Sequence, residues 1–227
     1  SKIYTYTISG IKRKGKTNVL KVLALSAAAK KGRVVVIDYS SRLKKFSETY
    51  GIECITTEVG FYRFLAAFQP DFEERNKRKH VFADQGLEEA EIFEAMQVFE
   101  KVYIFIDNLS QFIETAYALK GDAQVGEYAG LLEAMVDYGT FHNVFWFSCL
   151  NKKEVGVADT YRLYELFTRD KKGIHLGGMT DDSPMNFDNL DYHIRDQVMQ
   201  TGRGLLPVDN EEKVAEVVIP LVKGSGT

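Results

Sequence analysis

The stretch Gly10-Ile-Lys-Arg-Lys-Gly15-Lys16-Thr17 decides the fold, because it fits the pattern G-x-x-x-x-G-K-[ST] at every fixed position. Two glycines let the backbone of such a loop curl until successive N–H groups point inward at phosphate oxygens. The lysine then reaches the β- and γ-phosphates of a nucleotide, and the threonine hydroxyl is a ligand for Mg²⁺. The stretch therefore predicts a phosphate-binding loop.

The segments on either side of the loop have the periodicity that this interpretation requires. Ile3 to Ile8 alternates apolar and hydroxyl-bearing side chains and predicts a strand, and from Thr17 onward apolar residues recur at helical spacing. Arg33 to Asp38 follows as an apolar run, which is typical of a parallel strand covered on both faces. A β-α-β unit is thus complete by residue 38. A chance match, with Lys12 to Lys14 as a solvated basic turn, is the alternative.

Strands and helices continue to alternate beyond this unit, which predicts an α/β fold with a mainly parallel sheet flanked by helices in a doubly wound arrangement. The predicted strands are Val102–Asp107 and Val144–Cys149, followed by the short strands Gly173–Gly177 and Gly202–Val208. The predicted helices are Phe61–Arg75, interrupted at Pro70 and followed by a basic segment at 76–80, then Leu87–Glu100, Tyr128–Tyr138 and Val155–Thr168.

Composition places limits on the organisation and partners of the chain. The 227 residues contain 45% hydrophobic and 27% charged residues, so we expect one domain over residues 1–222 and a flexible Gly/Ser tail over 223–227. Because the chain opens almost directly on a strand, we expect it to be a domain of a larger multidomain protein. The net charge of −3 gives no global reason to expect nucleic acid as a partner. Cys54 and Cys149 have no metal-like or disulfide-like spacing.

The predicted nucleotide-binding residues are those of the loop and the start of its helix. They are Gly10, Lys14, Gly15, Lys16, Thr17 and Asn18. The loop interior is unusual because three consecutive long cationic side chains stand where small residues are more common. They either attract an anion or mark a loop that no longer keeps its original geometry.

Val102-Tyr-Ile-Phe-Ile-Asp107-Asn108 resembles the apolar strand and acidic residue of a Walker B motif. Asp107 and Thr17 are the predicted Mg²⁺ ligands, the carboxylate acting through the water shell of the ion. Asn108 stands where a catalytic glutamate commonly follows, and an amide cannot accept a proton from the attacking water. The pair Asp107 and Asn108 therefore predicts a degenerate catalytic centre, with a strand-end turn as the alternative for Asp107.

Four further residues carry open alternatives. Ser148 or Asn151, at the end of the strand Val144–Cys149, is a candidate γ-phosphate sensor, because ligands gather at the carboxyl ends of parallel strands, or a turn residue. Asp38 is a site residue or, as we favour, a turn residue. Arg203 either acts at a phosphate, including that of a neighbouring subunit, or is an exposed turn arginine.

The order and spacing of these segments resemble the FtsK/SpoIIIE group of P-loop ATPases, and within it the third, C-terminal ATPase domain of the EssC/EccC coupling proteins of bacterial type VII secretion. The resemblance includes Gly15-Lys-Thr-Asn-Val-Leu-Lys-Val-Leu, the strand ending at Asp38, Glu73-Glu-Arg75, the strand ending at Asp107, and Gly202-Arg-Gly-Leu-Leu. It implies a RecA-like core and ATP with Mg²⁺. It also implies tandem ATPase domains in one membrane-anchored chain with this part in the cytoplasm, hexameric homo-oligomers, and small helical secreted proteins of the WXG100 type as cargo.

Two hypotheses about function follow from these features. In the first, the domain hydrolyses ATP and helps to translocate a protein substrate, as the intact pair Lys16 and Thr17 indicates. In the second, it binds nucleotide without turnover and recruits cargo or regulates its neighbours, as Asn108 and the basic loop indicate. A DNA translocase is the third hypothesis, and the acidic balance of the chain disfavours it.

Overall fold

A computed structural model describes residues 5–118, 123–187, 190, 195, 199–208 and 213–222. Its strands are β1 (Thr5–Ser9), β2 (Arg33–Ile37), β3 (Glu53–Ile55), β4 (Val102–Ile106), β5 (Val144–Leu150), β6 (Gly173–His175), β7 (Arg203–Val208) and β8 (Lys213–Val218). Its α-helices are α1 (Lys16–Ala29), α2 (Lys44–Tyr50), α3 (Glu58–Asp84), α4 (Glu89–Ala95), α5 (Leu109–Tyr117), α6 (Ala123–Asp137) and α7 (Arg162–Thr168).

All eight strands belong to one sheet, in the order β3-β2-β4-β5-β1-β6-β7-β8. The six strands from β3 to β6 in that order are parallel, and β7 and β8 pair antiparallel at one end. The predicted α/β fold with a mainly parallel sheet is therefore confirmed. The carboxyl ends of β1, β2, β4 and β5 lie side by side, which is where parallel sheets of this kind bind ligands.

The sheet is covered by helices on both faces, so its central strands are apolar on both sides. Val34 and Val36 point into a core shared with α1 and α2, whereas Val35 and Ile37 point into the core formed by α3, α5, α6 and α7. This alternation follows from the two-residue period of a strand. It explains why these strands read as continuous apolar runs in the sequence.

The structure corrects the predicted interruption of a helix at Pro70. Helix α3 continues from Glu58 to Asp84 and includes both the proline and the basic segment that we expected to be separate. A proline removes one backbone hydrogen bond within a helix. The stripe of buried aromatic residues continues on both sides of it, with Phe68 before and Phe72 after, and this burial outweighs the lost bond.

Other boundaries also differ from those expected. The helix predicted over Leu87–Glu100 is the shorter α4 followed by a 3-10 turn at Met96–Val98. Within the predicted helix Val155–Thr168, only α7 is an α-helix. Sequence periodicity missed α2, α5, β3 and β8, all of nine residues or fewer. The first strand begins at Thr5, whereas predicted residues 3 and 4 and the tail 223–227 lie outside the described residues.

Within the described part of the chain, no helix combines the length and apolarity needed to cross a membrane.

Arg75 connects α3 to the edge of the sheet from which β4 and β5 start. Its side chain is 2% exposed, and it donates to the backbone carbonyl oxygens of Glu100 and His142 and pairs with Asp71 one turn earlier. The guanidinium also lies against the ring of Phe99, 5.2 Å from its centroid. A buried charge is stable only when it is paired and hydrogen-bonded in this way.

We predict that Arg75→Ala lowers the free energy of unfolding by about 3 kcal/mol, because two buried carbonyl oxygens lose their charged donor and a cavity remains. Urea denaturation followed by circular dichroism measures the change. Arg63→Ala, at an exposed position of the same helix, is the matched control and should differ little from the unaltered protein. Equal stabilities for the two variants would contradict the structural role of Arg75.

Candidate nucleotide-binding site

A cleft of about 430 Å³ opens at the carboxyl ends of the central strands, where β1 leads into α1 through the loop Gly10 to Thr17. This volume lies in the range of small-molecule sites. Four cationic side chains line it, namely Lys12, Arg13, Lys16 and Arg42. The two carboxylates in the lining are Asp107 and Glu154. The cleft is therefore locally basic although the whole chain is acidic.

The two glycines of the loop are required by its geometry. Gly15 has a φ of +101°, in the left-handed region that favours glycine. Gly10 has a φ of +134°, and a Cβ atom there would lie 2.7 Å from the carbonyl oxygen of Leu176. The curled backbone that the motif predicts is thus present, with the N-terminus of α1 facing the cleft.

Lys16 is held over its own loop. Its Nζ donates hydrogen bonds of 2.8 Å each to the carbonyl oxygens of Gly10 and Ile11. Burial lowers the pKa of the ammonium, and the charges of Asp107 and Glu154 oppose that shift. Because the side chain is long and flexible, it can exchange these carbonyl oxygens for phosphate oxygens without movement of the backbone.

Asp107 occupies the floor of the cleft between two partners. Thr17 donates from Oγ1 to Oδ2 of Asp107 over 2.9 Å, and Nη2 of Arg42 lies 3.3 Å from Oδ1. The carboxylate is only 5% exposed. Burial raises its pKa, and the Arg42 charge and the Thr17 hydrogen bond oppose that shift. The predicted pair Thr17 and Asp107 is therefore brought together, and an arginine that sequence reasoning missed joins it.

Arg42 is positioned by the turn that follows β2. Asp38, which is fully buried, accepts hydrogen bonds from the backbone N–H groups of Ser40 and Leu43 and from the Ser40 hydroxyl. The Ser40 oxygen in turn accepts a 2.8 Å hydrogen bond from Nε of Arg42. The favoured interpretation of Asp38 as a turn residue agrees with this arrangement, and the turn it forms delivers Arg42 to the cleft.

Asn108 caps a helix, a structural role that the sequence alone did not indicate. Its side-chain oxygen accepts a 2.8 Å hydrogen bond from the backbone N–H of Gln111, so it is the N-cap of α5. Asparagine is among the best capping residues. The amide also lines the cleft beside Asp107. It supplies no carboxylate there.

Two predicted nucleotide-binding side chains are engaged outside the cleft. Lys14 donates from Nζ to the carbonyl oxygen of Met199 over 2.8 Å. The Asn18 amide donates to the Pro220 carbonyl oxygen and accepts from the N–H of Val222. In this arrangement both side chains hold the C-terminal part of the chain against the loop and the start of α1. Any contact of theirs with nucleotide stays a prediction.

The candidate sensor residues lie in different surroundings. Asn151 lines the cleft at the end of β5, whereas Ser148 is fully buried within β5 and its hydroxyl has no hydrogen-bond partner among the described residues. Arg203 does not line the cleft; it forms a 2.7 Å ion pair with Glu216 across β7 and β8. Of the two sensor candidates, Asn151 is therefore the one at the cleft, and its role as a sensor stays a prediction.

Glu154 is a second cleft residue that sequence reasoning missed. It lies on a 3-10 turn after β5 and forms an ion pair with Lys12 across the cleft. The hydrogen bond from Lys12 lowers the pKa of the Glu154 carboxyl group. The signal in the sequence was its position three residues beyond Asn151, but a lone acidic residue in a turn is too common to single out.

The residues on the floor of the cleft fit a magnesium ion that arrives with a nucleotide. Magnesium prefers oxygen ligands and keeps several waters, so it needs only one or two protein oxygens besides phosphate. The Thr17 hydroxyl and the Asp107 carboxylate are such oxygens, 2.9 Å apart at the foot of the loop. Among the described residues no cluster of three His, Cys, Asp or Glu side chains offers a metal site without phosphate.

Solved structures with the same fold are consistent with this geometry. The chain matches the cytoplasmic domain of EssC (17% identity, TM-score 0.68, 96% of this chain and 40% of that chain) and EssC ATPases 2 and 3 from Geobacillus thermodenitrificans (18% identity, TM-score 0.69, 97% and 37%). The chain has the RecA-like P-loop fold of these EssC ATPase domains. It spans about two fifths of the length of either structure.

A third structure extends the likeness to a conjugation coupling protein. The chain matches the monomer form of the pCW3 conjugation coupling protein TcpA with ATPgS at 12% identity and a TM-score of 0.64, over 93% of this chain and 58% of that chain. No protein-family model and no curated protein sequence matches the chain. The likeness therefore shows the fold, and the function has to be argued from the cleft.

We predict that Asn108→Ala lowers the free energy of unfolding by about 1 kcal/mol, because α5 loses its N-cap. Asn108→Ser, which keeps a capping oxygen, should retain most of the stability. Urea denaturation of both variants measures the difference. If alanine and serine were equally tolerated, the capping role of Asn108 would be rejected.

Proposed function

We propose that the chain is an ATPase-like module of a bacterial type VII secretion coupling protein that binds ATP at the cleft and turns it over slowly or not at all. The observation that carries the proposal is the basic cleft around the Gly10 to Thr17 loop, in which both glycines have positive φ, with Thr17 and Asp107 in contact at its foot. Backbone N–H groups of such a loop and a helix N-terminus are suited to phosphate.

Different residues of the cleft would contact different parts of the nucleotide and its metal ion. Lys16 leaves the Gly10 and Ile11 carbonyl oxygens for the phosphates, while Lys12 and Arg13 add positive charge at the rim. Thr17 and Asp107 would hold Mg²⁺, which supplies charge neutralisation at the phosphate oxygens when bound. Asn151, which lines the cleft, would contact the last phosphate.

Weak turnover follows from the residue next to Asp107. Hydrolysis needs a group that orients or deprotonates the attacking water, and the Asn108 amide cannot take up a proton. Its oxygen is also committed to the N–H of Gln111. A domain of this kind would use nucleotide occupancy to recruit cargo or to regulate its neighbours.

The wider assignment rests on the likeness to EssC domains, and it is part of the proposal. The module would work beside other ATPase domains of the same membrane-anchored chain, on its cytoplasmic side, and within a homo-oligomer such as a hexamer. Small helical secreted proteins of the WXG100 type would be the cargo. Arg203, on the surface of β7, would be free to act at a neighbouring subunit only after release from Glu216.

A hydrolysing motor is the second candidate function, and Glu154 is the observation that favours it. Glu154 is a cleft carboxylate on a different strand end from Asp107, and it is not a helix cap. If it parted from Lys12, it would face the cleft as a proton acceptor. Its lowered pKa makes it a weak base, so we rank this candidate second.

We predict that the purified domain binds ATP with Mg²⁺ in a calorimetric titration, and that Lys16→Ala weakens binding about tenfold or more through loss of a charged phosphate contact. Lys30→Ala, which removes an exposed charge at the far end of α1, is the control and should bind normally. Failure of the unaltered domain to bind any nucleoside triphosphate would reject the proposed function.

Phosphate release under steady-state conditions separates the two candidates. We expect release near the background given by Lys16→Ala, because no free base adjoins Asp107. If turnover is instead brisk, Glu154→Gln should abolish it while ATP binding persists, whereas Asp159→Asn, at an exposed position of the neighbouring turn, should not. That result would select the motor over the non-hydrolysing module.

A further inference from the structure

Arg42 is the cleft cation that the loop Gly10 to Thr17 does not supply. Its guanidinium lies 3.3 Å from Oδ1 of Asp107, while Thr17 binds the other oxygen of the same carboxylate. Because Asp107 is almost entirely buried, this ion pair is screened much less than one between two surface groups. The guanidinium therefore stands at the carboxylate oxygen that a hydrated magnesium ion would otherwise approach.

The turn after β2 fixes Arg42 in this place. Asp38 holds the turn through the N–H groups of Ser40 and Leu43, and the Ser40 oxygen accepts from Nε of Arg42. Register brings this turn to the cleft, because Ile37 of β2 pairs with Ile106 of β4, the residue before Asp107. The contact between Arg42 and Asp107 is thus supported by a hydrogen-bonded turn that is anchored on the buried Asp38, although Ser40 and Arg42 themselves are exposed.

The overall charge of the cleft favours the most negatively charged form of a nucleotide. Four cationic side chains face two carboxylates, so the lining carries a positive excess. A free nucleoside triphosphate has more negative charge than its magnesium complex. The positive lining attracts the metal-free nucleotide more strongly than the magnesium complex. This attraction offsets much of the binding affinity that Mg²⁺ adds in a site whose only cationic side chain is one lysine.

We propose that Arg42 substitutes for the divalent cation at Asp107 when Mg²⁺ is absent, whereas Thr17 and Asp107 hold the ion when it is present, so that the cleft binds a nucleoside triphosphate through its polyphosphate nearly as well without Mg²⁺ as with it. This inference rests on the proposed function and specifies the form of ligand that the site accepts. Arg42 neutralises the charge of Asp107, which would otherwise repel the phosphates. The remaining N–H groups of the Arg42 guanidinium donate charge-assisted hydrogen bonds to phosphate oxygens.

Removal of Arg42 has a specific consequence under this proposal. Asp107 then lies buried beside the phosphates without a cationic side chain on Oδ1, and the repulsion has to be relieved by a metal ion. Binding by Arg42→Ala should therefore depend on Mg²⁺ far more than binding by the unaltered domain. Arg42 is 57% exposed, so its substitution leaves the core intact.

The experiment is calorimetric titration of the domain with ATP in excess Mg²⁺ and, separately, in excess EDTA. For the unaltered domain we expect the dissociation constant to change by less than about threefold between the two conditions, since the positive lining replaces the ion. For Arg42→Ala we expect EDTA to weaken binding about tenfold or more, because a charged contact is lost and a buried carboxylate is left unpaired.

Two further variants complete the design. Lys45→Ala removes an exposed charge from the adjacent helix α2, away from the cleft, and should keep the metal-independent binding. Ser40→Ala removes the oxygen that holds Nε of Arg42 and should show a smaller shift toward dependence on Mg²⁺.

The outcomes separate this inference from the proposed function. If the unaltered domain binds ATP with Mg²⁺ but its affinity falls about tenfold or more in EDTA, as that of Arg42→Ala does, the proposed role of Arg42 is overturned. The proposed nucleotide binding is not affected by that result. If it binds in neither condition, the proposed function fails and the inference with it. Persistence of binding in EDTA for the unaltered domain, with loss for Arg42→Ala, supports both.

Discussion

The buried carboxylate of Asp107 is the group on which the arrangement of the site depends. Through Thr17 and Arg42 it ties the start of α1 and the turn after β2 to the end of β4. An unpaired carboxylate at this depth would be strongly destabilising, and Thr17 and Arg42 offset the cost of its burial. The three strand ends are thereby fixed around one cleft, and the chemistry of the cleft follows from which side chains meet the carboxylate.

The contrast between binding and hydrolysis has a physical basis in two neighbouring residues. Asp107 lines the cleft and is the proposed partner of a metal ion, whereas Asn108 turns its oxygen to the first turn of α5. A capping residue at this position stabilises the fold regardless of turnover. The chain thus places a capping amide at position 108, where a catalytic glutamate was expected, and this arrangement agrees with the proposed module that responds to nucleotide occupancy.

The sequence predicted the parts of the structure that local patterns determine. The loop, its flanking strand and helix, and the contact of Thr17 with Asp107 follow from a motif whose spacing is dictated by phosphate geometry. Arg42 and Glu154 were missed because they reach the cleft through turns, where no periodicity marks the direction of a side chain. The continuation of α3 through Pro70 was missed because tertiary burial of Phe68 and Phe72 outweighs a local preference. Lys14 and Asn18 show the same limit, since their contacts lie about 185 and 202 residues away in the chain.

We propose that the cleft above Asp107 is a polyphosphate site. A crystal structure of the domain with a non-hydrolysable ATP analogue tests it most directly. We expect the phosphates to lie on the backbone of Gly10 to Thr17, with Nζ of Lys16 on phosphate oxygens and no longer on the carbonyl oxygens of Gly10 and Ile11. An analogue bound elsewhere, with Lys16 still on those two carbonyl oxygens, would contradict it.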